Sequence, residues 1–520
     1  MSFIQEVTAS DRESDHGAPS TENIFRRTAT DEHMPLTNQY DPTHIISTND
    51  FHRQKMTFFP TLKRATTLMV IPESPLAKAP NTWRSIRAII LSSWFNVLLV
   101  FIPVSWAINF ALPDQYTLIF VLTFLAIIPL AKLLAFATDE VSIRVGQTLA
   151  GLINATLGNA VELIVSIIAL TKCELSIVQS SLVGSILSNL LLVLGMCFFA
   201  GGMRFSEQGF GQSAVQLNSS LLTISVIAVL LPGAFHMALQ GQTSFNEVLT
   251  DFQILHTSHG VAIILLFIYV SYLVFQLFSH KALYEDDNDD VLASKGYTGT
   301  NPWLRLRLRR KNDKHPNPVG DVDVANDTSG SHNVENTDDA ERGVGSTSLT
   351  DSESEVVPYM NIPVCLGLLV SVAVLVAITA EFMVDSINGL TASGAIGQEF
   401  VGLILLPIVG NAAEHVTAVT VSVKDKLTLS LGVAVGSSIQ IALFVIPFIV
   451  TLAWILGKPL TLLFDPLESI VLFLSVITVN YVVQDGKSNW LEGMILMCLY
   501  LIVCVTFWYY PGTTGIFPNC

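Results

Sequence analysis

Long runs of hydrophobic residues alternate with shorter polar segments along most of this chain. Several runs reach the roughly 20 apolar residues that an α-helix needs to cross a bilayer. They predict an all-α integral membrane protein with eleven transmembrane helices. The predicted spans cover residues 86–110, 116–137, 146–171, 174–200, 215–235, 258–280, 359–388, 397–422, 427–455, 461–484 and 489–510.

Two long polar segments interrupt this hydrophobic pattern. Both are rich in serine, threonine, asparagine and aspartate, which is typical of segments that cannot bury enough apolar surface to fold. We therefore predict disorder before the first span and between the sixth and seventh spans. The predicted regions are an N-terminal tail at 1–85, a first membrane unit at 86–280, an acidic linker at 281–357, a second membrane unit at 358–511 and a short C-terminal segment at 512–520.

The composition also indicates a membrane protein. Only 13% of the 520 residues are charged, against roughly 25% in an average soluble domain. Most of the acidic residues lie in the tail and the linker, so an acidic residue inside a span is informative. An acidic chain of this kind is not expected to bind nucleic acid. The six cysteines show no metal-binding spacing and are expected to be free thiols.

Lysine and arginine residues predict the orientation of the chain in the membrane. They cluster before the first span, in a linker patch at 305–311 and in the loops expected on that same side. Because cytosolic loops carry an excess of these residues, the N-terminus and the linker are predicted to be cytosolic. An odd number of spans then places the C-terminus on the far side.

A five-residue motif occurs twice inside the predicted spans. Residues 158–162 (GNAVE) recur 252 positions later as residues 410–414 (GNAAE), and residues 184–185 (GS) recur at the same interval as residues 436–437. Behind one leading helix, each copy belongs to a group of five spans, so the second group would be inverted relative to the first. The predicted fold is therefore one leading helix plus two inverted five-helix repeats, which bring matching motifs together near the bilayer midplane.

Each copy of the motif places oxygen-bearing side chains beside a glutamate. Asn159 and Glu162 are three residues apart, so they face the same side of a helix. Two carboxylates with amide, hydroxyl and backbone carbonyl oxygens suit a hard divalent cation such as Ca²⁺, which takes about six to eight oxygen ligands. The predicted cation ligands are Glu162, Glu414, Asn159, Asn411, Ser185, Ser188, Ser437 and Gln440.

Four glycines accompany these ligands. Glycine lowers helix propensity by roughly 1 kcal/mol relative to alanine, so a helix can break there and expose carbonyl oxygens to an ion. Glycine equally permits close packing of neighbouring helices, and both interpretations are open. The predicted helix breaks are at Gly158, Gly184, Gly410 and Gly436.

The two glutamates also provide a basis for proton coupling. An ionised carboxylate at the bilayer centre costs at least a few kcal/mol unless it binds a cation or a proton. Ca²⁺ and protons would therefore compete for Glu162 and Glu414, which favours an antiporter over an enzyme. His415 has no counterpart in the first motif, where Leu163 stands. It is either a proton relay or a packing residue.

Other acidic residues allow two interpretations. Glu381 and Asp385 lie near the end of the seventh span, and Asp465 and Glu468 lie at the start of the tenth. Each pair either lines the mouth of the site on the far side or belongs to a solvated helix end. An acidic run at the start of the linker either gathers cations on the cytosolic side or is a solvated segment. That run contains Glu285, Asp286, Asp287, Asp289 and Asp290.

The two motifs and their surroundings resemble a known family. The resemblance is to the two α-repeats of the Ca²⁺/H⁺ exchangers, the proton-coupled branch of the calcium/cation antiporter superfamily. The histidine after the second glutamate is similar to this branch rather than to the Na⁺-coupled one. The residues that carry the resemblance are 158–170 (GNAVELIVSIIAL), 183–195 (VGSILSNLLLVLG), 410–419 (GNAAEHVTAV) and 435–447 (VGSSIQIALFVIP).

The resemblance implies a vacuolar membrane protein that moves cytosolic Ca²⁺ into an acidic lumen in exchange for protons, by alternating access. It implies that Glu162 and Glu414 are the central carboxylates, and that the protein needs no cofactor beyond the transported Ca²⁺. Whether Mn²⁺ is also transported, and which oligomeric state the protein has, are left open. A Na⁺-coupled Ca²⁺ exchanger and a passive divalent cation channel are the alternatives. An intramembrane hydrolase is disfavoured because both carboxylates have the same oxygen-rich surroundings.

Overall fold

The computed structural model describes residues 76–240, 247–284, 291–297, 357–392, 394 and 396–512. This part of the chain is almost entirely helical, as the hydrophobic pattern predicts. The α-helices, numbered along the chain, are α1 (Thr82–Leu91), α2 (Phe101–Ala111), α3 (Tyr116–Ser142), α4 (Gln147–Leu157), α5 (Ala160–Thr171), α6 (Leu175–Leu187), α7 (Leu194–Gly202), α8 (Gln212–Gln240), α9 (Glu247–Val274), α10 (Ile362–Thr391), α11 (Gln398–Phe400), α12 (Leu406–Gly410), α13 (Ala412–Val423), α14 (Leu427–Gln440), α15 (Ile446–Ile455), α16 (Pro466–Val482) and α17 (Trp490–Trp508).

Short π-helical segments connect several of these helices. Ser188–Val193 joins α6 to α7, Val401–Leu405 joins α11 to α12, and Ile441–Val445 joins α14 to α15. A fourth segment, Phe275–Ser279, extends α9. A π-turn adds a residue to the helical turn and is frequently found at functional sites. Two of the joining segments directly follow the helices that carry the Gly-Ser motifs.

Eight helical stretches in the described part of the chain are long and apolar enough to cross a bilayer. A ninth is counted if the bent pair Gln398–Gly410 and Ala412–Val423 forms one span. Two shorter apolar helices, α5 and α16, lie where the third and tenth spans are predicted. The all-helical membrane fold is thereby confirmed, while the count of eleven spans stays a prediction.

The first predicted span, 86–110, is not one continuous helix. α1 ends at Leu91, and a 3-10 helix at Trp94–Val100 precedes α2. Ser93 marks the break, because its backbone is extended and its hydroxyl accepts a hydrogen bond from the Phe95 amide at 3.3 Å. Serine is favoured at a helix start since its side chain satisfies a free amide.

The helices break at both copies of the GNxxE motif. α4 gives way at Gly158 to α5. In the second copy, α12 ends at Gly410, and the axis bends by 58° into α13. Glu162 and Glu414 consequently lie in the first turn of their helices, where the positive end of the helix dipole favours an ionised carboxylate.

The predicted breaks at Gly184 and Gly436 are wrong. α6 and α14 run through these glycines without interruption. At Gly184 a Cβ atom would stand 2.0 Å from the carbonyl oxygen of Leu403 and 2.6 Å from Pro407. The absent side chain therefore lets α6 pack directly against the backbone of the second unit. Around Gly436, no described atom lies within 4 Å of the same position.

The stretches Leu175–Gly202 and Leu427–Ile455 form the centre of the protein. They are the most deeply buried of the membrane-length stretches that the structure describes. Polar side chains lie inside them, among them Ser185, Asn189 and Ser437. Buried hydroxyl and amide groups need partners, so their central position indicates a polar site rather than simple packing.

One end of the helical bundle carries several basic side chains, and we call this end the basic face. Arg204, after α7, donates to the Val423 carbonyl oxygen at the end of α13, at 2.9 Å. Arg144, after α3, lies 3.0 Å from the buried Glu140 carboxylate and also donates to the Met360 carbonyl oxygen before α10. We call the opposite end the far face.

The basic face also carries a short antiparallel pairing that the all-α prediction did not include. β1 (Gln208–Gly209) pairs with β2 (Lys487–Ser488) and thereby joins the first unit to the second. Linker residues 291–297 pack beside β1, where Lys295 Nζ lies 2.8 Å from Glu207 Oε2. The lysine holds the pKa of the Glu207 carboxyl below its usual value. An exposed ion pair of this kind contributes little to stability.

Cysteine pairing departs from the expectation of free thiols. Cys173, in the loop after α5, is disulfide-bonded, so the expectation is wrong for this residue. Cys197, Cys365, Cys498 and Cys504 are free. These four lie within helices, where cysteine commonly acts as a small hydrophobic residue.

We expect Gly184→Ala to destabilise the protein, because the new methyl group would meet a backbone carbonyl group that cannot move aside. Overpacking of this kind costs about 1–3 kcal/mol. Thermal unfolding in detergent, followed by circular dichroism, should show a lower midpoint. Gly436→Ala is the matched control, since open space surrounds that glycine. Equal midpoints for the two variants would contradict the packing argument.

Candidate functional site

The carboxylate of Glu162 lies at the contact between the two membrane units. The residue is 8% exposed, and its Oε1 atom has no hydrogen-bond partner among the described residues. A Cβ atom added to Gly410 would stand 2.4 Å from this oxygen. The glycine of the second motif therefore makes room for the carboxylate of the first, in addition to ending α12.

A small cavity of about 20 Å³ adjoins Glu162. Ser181 and Ser185 of α6 line it together with Gly410 and apolar side chains. The volume is roughly what one water molecule needs. Ser185, a predicted cation ligand, thus faces the same enclosed space as the glutamate.

A larger cavity of about 350 Å³ reaches Glu414 from the basic face. Ser437 and Gln440 of α14 line it together with Lys132 and Asp139 of α3. The lining residues of α3 extend to within one turn of its end at the basic face. Glu414 is therefore reached from that side, whereas the other glutamate is enclosed.

The two carboxylates are close enough to repel each other. Glu162 acts electrostatically on Glu414, and the Ser437 hydroxyl lies beside the Glu414 carboxyl group. Two neighbouring carboxylates in a site of low polarity cannot both be ionised without a cation, so one or both must otherwise hold a proton. The pair is therefore able to exchange protons for a cation.

Amide side chains connect the two units beside these glutamates. Asn159 Nδ2 donates to Gln440 Oε1 at 2.6 Å. Asn189 Nδ2 donates to Ser437 Oγ at 2.9 Å. In each contact a residue of the first unit donates to a residue of the second, so the site exists only where both units meet.

Four acceptor oxygens at this junction are buried and have no hydrogen-bond partner in the described structure. They are Asn159 Oδ1, Glu162 Oε1, Asn189 Oδ1 and Glu414 Oε2. Such acceptors are uncommon in folded proteins, and each costs about 1–3 kcal/mol. Oxygen atoms of this kind are the ligands of Ca²⁺. Their grouping at the repeat junction indicates a cation site.

His415 and Asn411 are the other polar residues of the second motif. His415 Nε2 lies 3.4 Å from Ser188 Oγ, which links the second motif to the first unit. Asn411 is fully buried, and its Nδ2 atom has no partner within the described ranges. All the predicted ligands therefore lie at this junction, namely Glu162, Glu414, Asn159, Asn411, Ser185, Ser188, Ser437 and Gln440.

Asn189 was not among the predicted cation ligands. The residue 252 positions later is Ile441, so a search for repeated positions gives no reason to select this asparagine. The available signal was its place in a long apolar run, where a polar side chain is costly and usually functional.

The acidic residues outside the motifs differ in their surroundings. Lys172 Nζ lies 3.1 Å from Glu381 and 3.0 Å from Asp385 in a half-exposed group on the far face. Asp465 and Glu468 are buried, so the interpretation as a solvated helix end is wrong for them. The predicted cation-gathering run lies outside the described residues; it comprises Glu285, Asp286, Asp287, Asp289 and Asp290.

The similarity to a known protein family extends well beyond the two motifs. Residues 115–278 and 364–509 match the model of the sodium/calcium exchanger protein family. The chain belongs to this family. The two matched blocks carry the two GNxxE motifs, and the leading helix α2 lies outside them.

Alignments with similar proteins cover most of the length of this chain. It is 53% identical over 485 residues to a vacuolar calcium ion transporter of Cryptococcus neoformans, covering 87% of this chain and 80% of that one. It is 37% identical over 420 residues to a Ca²⁺/H⁺ antiporter of Synechocystis, covering 81% and 98%. Native YfkE, a solved structure, is 27% identical with a TM-score of 0.57, covering 80% and 100%. The resemblance predicted from the motifs is confirmed.

We expect Gly410→Ala to weaken Ca²⁺ binding, because the new methyl group would occupy the space of Glu162 Oε1 and displace the carboxylate. A loss of at least about tenfold in affinity, or roughly 1.4 kcal/mol, is expected. Equilibrium binding of ⁴⁵Ca²⁺ to the purified protein measures it. Gly367→Ala in α10, where no described atom lies within 4 Å, is the control. Unchanged affinity in Gly410→Ala would contradict this position for the cation.

Proposed function

We propose that this exchanger is a Ca²⁺/H⁺ antiporter of the vacuolar membrane, which moves cytosolic Ca²⁺ into the lumen in exchange for lumenal protons. The observation that carries the proposal is the meeting of Glu162 and Glu414, each with an unpartnered buried oxygen, at the junction of the two units. The vacuolar calcium transporters and Ca²⁺/H⁺ antiporters among its relatives support it.

The proposed architecture has eleven transmembrane helices, arranged as a leading helix and two inverted five-helix repeats. The broken segments α4–α5 and α11–α13 would be the third and eighth spans, and α16 the tenth. The excess of lysine and arginine at the basic face supports a cytosolic location for that face. The N-terminus is then cytosolic and the C-terminus lumenal.

Charge balance couples the two ions. With both glutamates ionised and no ion bound, the site carries two negative charges in a medium of low polarity, which opposes reorientation. One Ca²⁺ neutralises both charges, and so do two protons. Each loaded form is therefore near neutral and able to reorient, whereas the empty form is not. Exchange follows because the two ions occupy the same carboxylates at different times.

Neutral side chains complete the coordination of Ca²⁺ in this proposal. The hydrogen bond from Asn159 Nδ2 to Gln440 Oε1 fixes the amide of Asn159 so that its Oδ1 atom is left for the ion. The bond from Asn189 to Ser437 has the same consequence for Asn189 Oδ1. His415 is proposed to tune or relay protons at the adjacent Glu414, through its contact with Ser188.

Access from alternating sides is the proposed route of transport. The cavity that reaches Glu414 from the basic face would admit cytosolic Ca²⁺ in this conformation. Glu162, beside an enclosed cavity of about 20 Å³, would be reached from the lumen after a rearrangement. Inverted repeats provide two equivalent conformations of opposite orientation.

Na⁺-coupled Ca²⁺ exchange is the second candidate, because the family model is that of sodium/calcium exchanger proteins. The two candidates are separated by the gradient that drives uptake. Ca²⁺ uptake that follows an imposed Na⁺ gradient and ignores a protonophore would favour the second. Uptake that follows an imposed pH gradient in Na⁺-free buffer favours the first.

We expect Glu162→Gln and Glu414→Gln each to reduce ⁴⁵Ca²⁺ uptake to the level of empty liposomes, because one charge can no longer balance a divalent ion. The measurement uses proteoliposomes with an acid interior, with and without a protonophore. Glu207→Gln, which removes an exposed carboxylate at the basic face, should behave as wild type. A folded variant of either site glutamate with normal flux would contradict its central role.

We expect acidification to weaken equilibrium Ca²⁺ binding, because protons and Ca²⁺ occupy the same carboxylates. If one Ca²⁺ displaces two protons, the apparent affinity falls by up to about a hundredfold for each pH unit over the range in which both protons bind. Titrating ⁴⁵Ca²⁺ binding at a series of pH values measures the slope. A slope of zero between pH 6 and pH 8 would exclude competition at this site.

A further inference from the structure

Two glutamates from different helices meet at the far face, away from the cation site. Glu399 lies in α11, and Glu468 lies in the first turn of α16. Their carboxyl groups are within hydrogen-bonding reach of each other. Ser180 of α6, in the first unit, donates to Glu399 Oε2 at 2.5 Å. The group therefore connects the first unit to two helices of the second.

Glu468 is withdrawn from solvent, and Glu399 is half-buried. Glu468 is 1% exposed, and its Oε1 atom has no hydrogen-bond partner within the described part of the chain. Asp465 caps α16 by accepting the Leu467 amide at 2.8 Å, and its other oxygen accepts the Tyr510 hydroxyl at 2.8 Å. Asp465 therefore has its own partners and does not satisfy the free oxygen of Glu468.

No lysine, arginine or histidine in the described ranges pairs with Glu399 or Glu468. The titratable groups that face the pair are Asp465 and Tyr510. The next acidic group, Glu174 at the start of α6, contacts α11 through Gln398 Nε2 at 3.4 Å. The pair thus faces only acidic or neutral groups.

A proton is the ligand that this arrangement requires. Two carboxylates in hydrogen-bonding contact in a buried place cannot both be ionised, and they are stable when they share one proton. We propose that Glu399 and Glu468 form a second proton-binding site, which closes the far face by sharing one proton.

The first repeat has no such pair. Residues 146–153 (GQTLAGLI) recur 251 positions later as 397–404 (GQEFVGLI). Thr148 is therefore the residue of the first repeat that is equivalent to Glu399. The SVI sequence occurs at 225–227 and again at 475–477, so Asn218 is the residue of the first repeat that is equivalent to Glu468. The acid pair is therefore a feature of one face of the exchanger, although the cation site is built from both repeats.

The position of Ser180 connects this pair to the cation site. Ser180 lies on α6 five residues, or about 7.5 Å along the helix axis, before Ser185, which faces the cavity beside Glu162. A Cβ atom on Gly402 would stand 2.8 Å from Ser180 Cβ, so α6 and the π-segment after α11 are in direct contact there. Parting of these elements would separate Ser180 from Glu399 and open a way towards Ser185.

Closure of the far face would then take up one proton from the lumen. A hydrated glutamate is half ionised at roughly pH 4.3, so the separated carboxyl groups would be largely ionised at a lumenal pH of about 6. Bringing them together requires a shared proton, and lumenal acid therefore favours closure. This proton returns to the lumen on reopening, so it is not transported. The sidedness rests on the function proposed above, in which the far face is lumenal.

The test is the dependence of transport on lumenal pH. Sealed vacuolar vesicles expose the cytosolic face, so their interior pH can be set at a constant exterior pH while initial ⁴⁵Ca²⁺ uptake is measured. Glu468→Gln supplies a permanent hydrogen-bond donor in place of the shared proton. The wild-type rate should fall relative to that of Glu468→Gln as the interior pH rises from 5.5 to 7.5. One linked proton allows a change in this ratio of up to about tenfold for each pH unit.

Two further variants keep the test decisive. Glu399→Gln should reproduce the effect of Glu468→Gln, and Glu381→Gln, which removes a carboxylate paired with Lys172 on the same face, should retain the wild-type profile. A constant ratio of wild-type to Glu468→Gln rates would overturn the proposal. The proposal would also be overturned if Glu468→Gln released a different number of protons per Ca²⁺ than the wild type, because the shared proton would then be a transported one.

An infrared measurement separates this proposal from the proposed function. In a Glu162→Gln, Glu414→Gln background, which removes the carboxyl groups of the cation site, Glu468→Gln should abolish the carbonyl band of one protonated carboxyl group at neutral pH. This readout does not depend on transport, so it holds even if the antiport proposal fails. An unchanged carbonyl band would overturn the second proton site.

Discussion

Electrostatic repulsion between Glu162 and Glu414 is the constraint on which the rest of the structure depends. Neither carboxylate forms an ion pair with a lysine or arginine in the described ranges, so their charge must be balanced by something that can leave. A monovalent cation would leave one negative charge uncompensated in a medium of low polarity, whereas a divalent cation or two protons leave none. Charge compensation therefore favours a divalent ion, independently of the size of the site.

Close approach of backbones is what allows this arrangement to be compact. At Gly184 the α6 helix meets the Leu403 carbonyl oxygen, and at Gly410 the backbone leaves room for Glu162 Oε1. Packing of small residues is the main way in which membrane helices come into contact, because lipid already solvates apolar side chains. The glycines therefore bring the two units close enough for amides of the first to donate to oxygens of the second.

Sequence predicted those parts of the protein that follow from hydropathy and repetition. Apolar runs located most helices, and the repeated GNxxE motif located both site glutamates. Sequence could not distinguish the two effects of glycine, since Gly158, at a helix break, and Gly184, at a close contact, both lie in apolar helical sequence, and their spatial neighbours decide which effect occurs. It also missed Asn189, because a comparison of repeats selects only what occurs twice, and the meeting of Glu399 with Glu468 depends on tertiary structure alone.

Differences between the repeats are as informative as their similarities. Two identical inverted repeats would make the two faces equivalent, so a protein built from them would have no structural preference for direction. The glutamates and asparagines that recur are those at the cation site, whereas His415 and Asn189 have the apolar counterparts Leu163 and Ile441. The acid pair at the far face likewise has no counterpart. In the proposed antiporter, the repeated residues bind the ion, and the residues that break the symmetry make each face respond to its own compartment.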